Sequence, residues 1–115
     1  MVRVGLIGLG NMGARMAVHL ARRSRQNQPL AVYDASKDAL QACAAETTTV
    51  TIHRDVQQLA KHSDVIVLML PGPQAVRTVA AEVLDHAAPG ALLIDCSTVD
   101  PATSRDVAAD ASARS

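Results

Sequence analysis

Aromatic residues are almost missing from this chain: among 115 residues there is one tyrosine, and neither phenylalanine nor tryptophan. Without rings there is no platform on which single-stranded nucleic acid could stack. Val, Leu, Ile, Met and Ala must fill the interior instead, which suits a mostly parallel sheet covered by helices on both faces. A surplus of charge is missing as well. Eleven basic and eleven acidic residues give a formal net charge of zero, so no global field draws nucleic acid or an anionic membrane. No apolar run is long enough to cross a bilayer. Cys43 and Cys96, the only cysteines, have no metal-like spacing and read as buried, reduced thiols of an intracellular protein. His19, His53, His62 and His86 share no ligand spacing either, so surface roles and no metal are expected. The first strand starts almost at Met1, which leaves no room for a targeting segment and reads as cytoplasmic.

What is present is alternation. Val2 to Gly8 is a short apolar run ending in glycine, as a buried strand should be. From Asn11 the spacing changes: Met12, Met16 and Leu20 recur every fourth residue, beside a small-residue stripe of Gly13, Ala17 and Ala21 that lets a helix lie close to a sheet. Arg22, Arg23 and Arg25 close that helix, complementing its carboxyl end. A second strand, Leu30 to Tyr33, ends at Asp34, and Ser36 can cap a helix with Leu40, Cys43 and Ala44 inward. Thr49 to His53 is a third strand, and Val56, Leu59 and Ala60 mark a short helix. Val65 to Leu70 forms the strongest strand, stopped by Pro71-Gly72-Pro73. Val76, Val79, Ala80, Val83 and Leu84 then follow at helical spacing. After the Pro89-Gly90 turn come a fifth strand, Ala91 to Cys96, and a last helix that Asp100 caps and Pro101 opens. Five strand–helix repeats predict one α/β domain over 1–115: a doubly wound parallel sheet of Rossmann type with right-handed crossovers.

Gly8-Leu9-Gly10-Asn11-Met12-Gly13 matches the dinucleotide fingerprint G-x-G-x-x-G, following a strand and opening a helix in the first βαβ unit. Gly8 permits the tight turn, Gly10 admits a pyrophosphate to the backbone, and Gly13 lets the helix pack on the sheet. The fingerprint also wants an acid about 20 residues on, at the end of the second strand. Asp34 stands there. It would accept from the ribose hydroxyls and repel a 2′-phosphate, which favours NAD over NADP. Lys37 reads either as a solvated first-turn residue or as a cation within reach of such a phosphate. Leu70-Pro71-Gly72-Pro73 and Asp95-Cys96-Ser97-Thr98 also follow strand ends, where ligands of open α/β sheets bind; as bare sequence they could equally be turn and cap residues.

Three segments together resemble the β-hydroxyacid dehydrogenase family: the glycine turn with Met16-Ala17, the strand VIVLMLP, and LLIDCSTVDPATS. The resemblance covers the whole chain and is most specific from Asp95 to Pro101. It implies a sheet order of 3-2-1-4-5 and NAD-dependent oxidation of a primary 3-hydroxy acid to its semialdehyde, as in valine breakdown. By resemblance, Gly8 to Gly13 hold pyrophosphate and Asp34 the adenosine ribose. Leu70 and Pro71 line the cofactor cleft, and Gln74, with Ala75 after it, is a candidate for the polar cofactor contact the family often has at this point. Ser97 holds the substrate carboxylate, and Thr98 lies beside the nicotinamide ribose. Two departures stand out. The polar RRSRQNQP replaces the glycine that usually ends the first helix. The family's catalytic lysine, on a helix beyond the nucleotide domain, has no counterpart in Lys37 or Lys61. The chain therefore reads as the nucleotide-binding part of such an enzyme, without turnover of its own; the alternatives are a stand-alone NAD-sensing module and a related reductase. The resemblance also implies homo-oligomers for the full-length relatives and, should the true N-terminus lie upstream of Met1, allows a mitochondrial-matrix location.

Overall fold

The computed structural model describes residues 2–25 and 27–114. Five strands and five helices alternate: β1 Val4–Ile7, α1 Asn11–Arg22, β2 Leu30–Tyr33, α2 Lys37–Glu46, β3 Val50–Ile52, α3 Val56–Lys61, β4 Val65–Leu68, α4 Pro73–His86, β5 Leu92–Asp95 and α5 Pro101–Ala113. All strands are parallel, in the order β3-β2-β1-β4-β5. That order puts the carboxyl ends of β1 and β4 side by side where the winding reverses, and a crevice opens there.

The side-chain period of two divides each strand between two apolar layers. Leu6, Val32 and Val67 face α1 and α2, with Ala17, Ala21 and Cys43 opposite them. Ile7, Ile66 and Leu68 face the other way, onto Leu59, Ala80 and Val83 of α3 and α4. In α1 the small stripe is the inward one: Gly13, Ala17 and Ala21 are buried, so the backbone lies close to the sheet. Met12 is 56% exposed, while Met16 and Leu20 pack on the rim of the core. Side-chain caps start three helices: Ser36 and Asp100, as expected, and also Asp55. Pro101 sits in the first turn of α5.

Several boundaries are shorter than the apolar runs imply. β1 begins at Val4, β3 spans only Val50–Ile52, and β5 spans Leu92–Asp95. β4 ends at Leu68, so Met69 and Leu70 leave the sheet after the Met69 N–H bonds to the Ile7 carbonyl at 2.9 Å. Apolarity extended the expected strand because those two residues wall a cleft rather than pair. Ala44 is exposed; α2 buries only Cys43. Cys96, expected inside, is exposed, because it lies past the end of an edge strand. α1 ends at Arg22 with Arg23 as its cap, and Arg25 lies beyond it, bridged to Gln28. Gln26 of the polar connection and the terminal Ser115 lie outside the described residues.

α5 is held to α4 by a polar seam. Arg77 donates to Asp106 at 2.7 Å and to the Thr103 hydroxyl at 3.1 Å, and that hydroxyl donates to Asp100 at 2.6 Å. Arg114 pairs with Asp110 at 2.9 Å and with Asp85. On β5, Leu93 packs under these helices with Val107. Leu92 and Ile94 point to the α1 side, aligned with Val65 and Val67, and remain exposed. No helix among the described residues is long and apolar enough to cross a membrane.

Candidate functional site

The carboxyl ends of β1, β2 and β4 open into one cleft of about 510 Å³. Its floor is the glycine turn. Gly8 has φ +107°, a left-handed conformation that a side chain would strain, and its N–H donates to the Tyr33 carbonyl at 3.0 Å. A Cβ on Gly13 would lie 1.9 Å from the Gly8 carbonyl oxygen, so only glycine lets α1 start this close to the turn. Gly10 differs. Its backbone is extended, it borders the cleft, and a Cβ there would meet nothing within 4 Å. A methyl group there would meet no protein atom and would take up open space beside the uncapped helix start.

Gly10 also begins α1 without a side-chain cap, and the first turn carries no acid. The N–H groups of that turn lack intrahelical acceptors and carry the positive end of the helix dipole. Asn11, Met12 and Gly13 line the cleft beside them. An anion is the complement of this turn.

Asp34 lies across the floor on the β2 side. One carboxylate oxygen accepts from the Leu9 N–H at 2.7 Å, the other from the Ser36 N–H at 2.8 Å. The acid is thereby locked to the glycine turn, and it lines the cleft with Tyr33 and Ala35. On the β4 side the walls are Met69, Leu70 and Pro71, with Ala75 and Val79 of α4.

Of the residues expected at a site, Gly8, Gly10, Asn11, Met12, Gly13, Asp34, Leu70 and Pro71 come together in this cleft. Leu9 contributes its N–H, while its side chain is buried in the core. Gln74 does not face the cleft; it is exposed, its amide donating to the Thr78 hydroxyl at 3.2 Å, and Ala75 takes the wall position. Ser97 and Thr98 stand outside the cleft lining. Ser97 reaches its edge through one bond, accepting from the Leu70 N–H at 2.7 Å, whereas Thr98 is exposed. Tyr33, Ala35, Met69, Ala75 and Val79 were not foreseen. Their sole signal in the sequence is adjacency to a strand end or, for Ala75 and Val79, a shared helix face.

Among the described residues no group of three His, Cys, Asp or Glu side chains could hold a metal. His53 and His62, expected as separate surface residues, instead stack with ring centroids 5.6 Å apart. Burial pushes the Cys43 thiol up, with Glu46 adding to the effect, which keeps it protonated and inert.

A glycine turn at a helix start, with an acid closing the next strand and a crevice at the winding reversal, defines a dinucleotide-binding domain of the Rossmann class. Residues 3–115 match the family described as the NAD binding domain of 6-phosphogluconate dehydrogenase. The chain belongs to that family, and its relatives place it with the β-hydroxyacid dehydrogenases. The mitochondrial 3-hydroxyisobutyrate dehydrogenase of Homo sapiens is 38% identical over 109 residues, covering 91% of this chain and 31% of that protein. The NAD-dependent L-serine dehydrogenase of Pseudomonas aeruginosa is 32% identical over 117 residues, 99% of this chain and 38% of that protein. The structure of Mycobacterium tuberculosis 3-hydroxyisobutyrate dehydrogenase with L-serine matches with a TM-score of 0.89 at 32% identity, covering 99% of this chain and 38% of that one. The chain thus spans about a third of the length of the relatives it matches.

Proposed function

We propose that the chain binds NAD in this cleft and forms the cofactor half of an oxidoreductase acting on a small 3-hydroxy acid, with 3-hydroxyisobutyrate, oxidised to methylmalonate semialdehyde, as the leading substrate. The observation that carries this reading is Gly10: open space beside its Cα, at an uncapped helix start, facing the same cleft as a fixed carboxylate. Gly10, Asn11, Met12 and Gly13 would cradle the pyrophosphate, with Gly8 and Leu9 shaping the turn. Asp34 would hold the adenosine ribose. Leu70 and Pro71 would border the nicotinamide, which when bound supplies the hydride acceptor. Ser97 and Thr98 would meet the substrate carboxylate and the nicotinamide ribose at the rim.

The names of the relatives support the substrate class, since 3-hydroxyisobutyrate and L-serine each carry a primary alcohol β to a carboxylate. Preference for NAD follows from Asp34: both oxygens are held by backbone amides, so its charge cannot swing away from a 2′-phosphate. Lys37 is exposed and does not line the cleft, which favours its reading as a solvated residue. Hydride removal from an alcohol needs a proton acceptor, and neither Lys37 nor Lys61 lines the cleft. The chain by itself accordingly binds without turning over.

Calorimetric titration of the 115-residue chain with NAD and NADP tests this. NAD should bind, NADP at least about tenfold more weakly, the scale of one unfavourable charge contact. Equal affinities would remove the role given to Asp34, and no binding of either would remove the cofactor reading.

A further inference from the structure

β4 and β5 end side by side, and past their ends a hydrogen bond joins the two loops: the Leu70 N–H donates to the Ser97 hydroxyl oxygen at 2.7 Å. Ser97 is itself fixed, its N–H donating to the Asp95 carboxylate at 2.9 Å. Leu70 and Pro71 form the wall of the cleft on the β4 side, one strand away from the glycine turn and opposite Asp34. We infer that Ser97 is a positioning residue for the cofactor: its hydroxyl holds the Leu70–Pro71 wall in place, so the far, nicotinamide half of the cleft is set by the loop after β5. Because the oxygen accepts from Leu70, the hydroxyl proton is left for an acceptor at the rim, such as a ligand carboxylate. One side chain thereby links the two loops that the cofactor and the substrate would share.

The inference rests on the dinucleotide reading, so its test separates the halves of the ligand. Ser97→Ala and Ser97→Thr are titrated with NAD and with ADP-ribose, which lacks the nicotinamide, and exchange of the Leu70 amide is followed by NMR. Ser97→Ala should bind NAD about five- to tenfold more weakly, the worth of one such bond, and ADP-ribose as the parent does. Ser97→Thr should restore NAD binding. The Leu70 amide should exchange slowly in the parent and in Ser97→Thr, and rapidly in Ser97→Ala. Unchanged NAD affinity in Ser97→Ala overturns the inference, as does equal weakening of both ligands, which marks a general structural fault. If the parent binds neither ligand, the cofactor reading has failed. The amide exchange then decides alone: a Leu70 amide indifferent to Ser97→Ala overturns the positioning role, and a selective loss of protection upholds it.

Discussion

Gly10 and Gly13 stand three residues apart in one motif, yet their surroundings require opposite outcomes on substitution by alanine. At Gly13 a Cβ would lie 1.9 Å from the Gly8 carbonyl oxygen and 2.8 Å from its carbon, both backbone atoms. To reach ordinary contact, the start of α1 must back away by roughly 1.5 Å, and because the atoms met are backbone the cost falls at the upper end of overpacking, about 2–3 kcal/mol. Alanine regains about 1 kcal/mol of helix propensity, leaving a net loss of roughly 1–2 kcal/mol. For a domain of this size each kcal/mol is about 3–6 °C, so Gly13→Ala should melt about 3–12 °C below the parent. At Gly10, φ is −65° and nothing lies within 4 Å of a Cβ. Gly10→Ala should melt within about 2 °C of the parent, since the changes in capping and in unfolded-chain entropy are each below about 1 kcal/mol and opposed. If the pyrophosphate binds where proposed, the added methyl group takes that space, and NAD affinity should fall by at least about tenfold, which is 1.4 kcal/mol. Thermal melts by circular dichroism and calorimetric titration read the two effects separately. A Gly10→Ala protein that binds NAD as the parent does, or melts lower than Gly13→Ala, refutes the division of roles.

Two further outcomes follow from polar side chains that the fold withdraws from water in part or in full. Thr103 is 1% exposed, its hydroxyl accepting from Arg77 and donating to Asp100. Thr103→Val keeps the shape and should cost about 1–2 kcal/mol, seen as a lower urea midpoint with an unchanged slope; a midpoint equal to the parent's would mean that the α4–α5 seam contributes nothing. Burial holds the His53 imidazole below its ordinary pKa, the stacked His62 adds to this, and Asp55 opposes it. The folded state then binds fewer protons than the unfolded chain, so stability is full above the unfolded value near 6.5 and declines as pH falls through the folded one. His53→Gln should flatten the fall of melting temperature between pH 7 and pH 5, and identical slopes in both proteins would exclude the effect.

Much of the site was legible because its chemistry is local. Gly8, Gly10 and Gly13 act through backbone conformation and the absence of a Cβ, and Asp34 through its place directly after a strand. Residues whose role depends on another element were harder to read. Nothing in the sequence distinguishes Ala75 from Gln74 as the wall of the cleft; that depends on how far α4 is rotated about its axis. Met69 and Leu70 are as apolar as the strand before them and continue its pattern, yet they line the cleft because β4 stops at Leu68. Cys96 looked like core because it ends an apolar run, but β5 is an edge strand with one face open.

By itself the sequence determined the order of elements, the parallel alternation, the start of α1 at the glycine turn and the caps of α2 and α5. Periodicity, capping and glycine conformation act within a few residues, so they survive in one dimension. Tertiary structure alone decided that β4 stops at Leu68, that Asp34 locks the Leu9 amide 25 residues away, and that Ser97 meets Leu70 across 27 residues. Those contacts depend on register and on the distance between layers. Both are set only when the two apolar faces of the sheet are covered together, and no local pattern records the result.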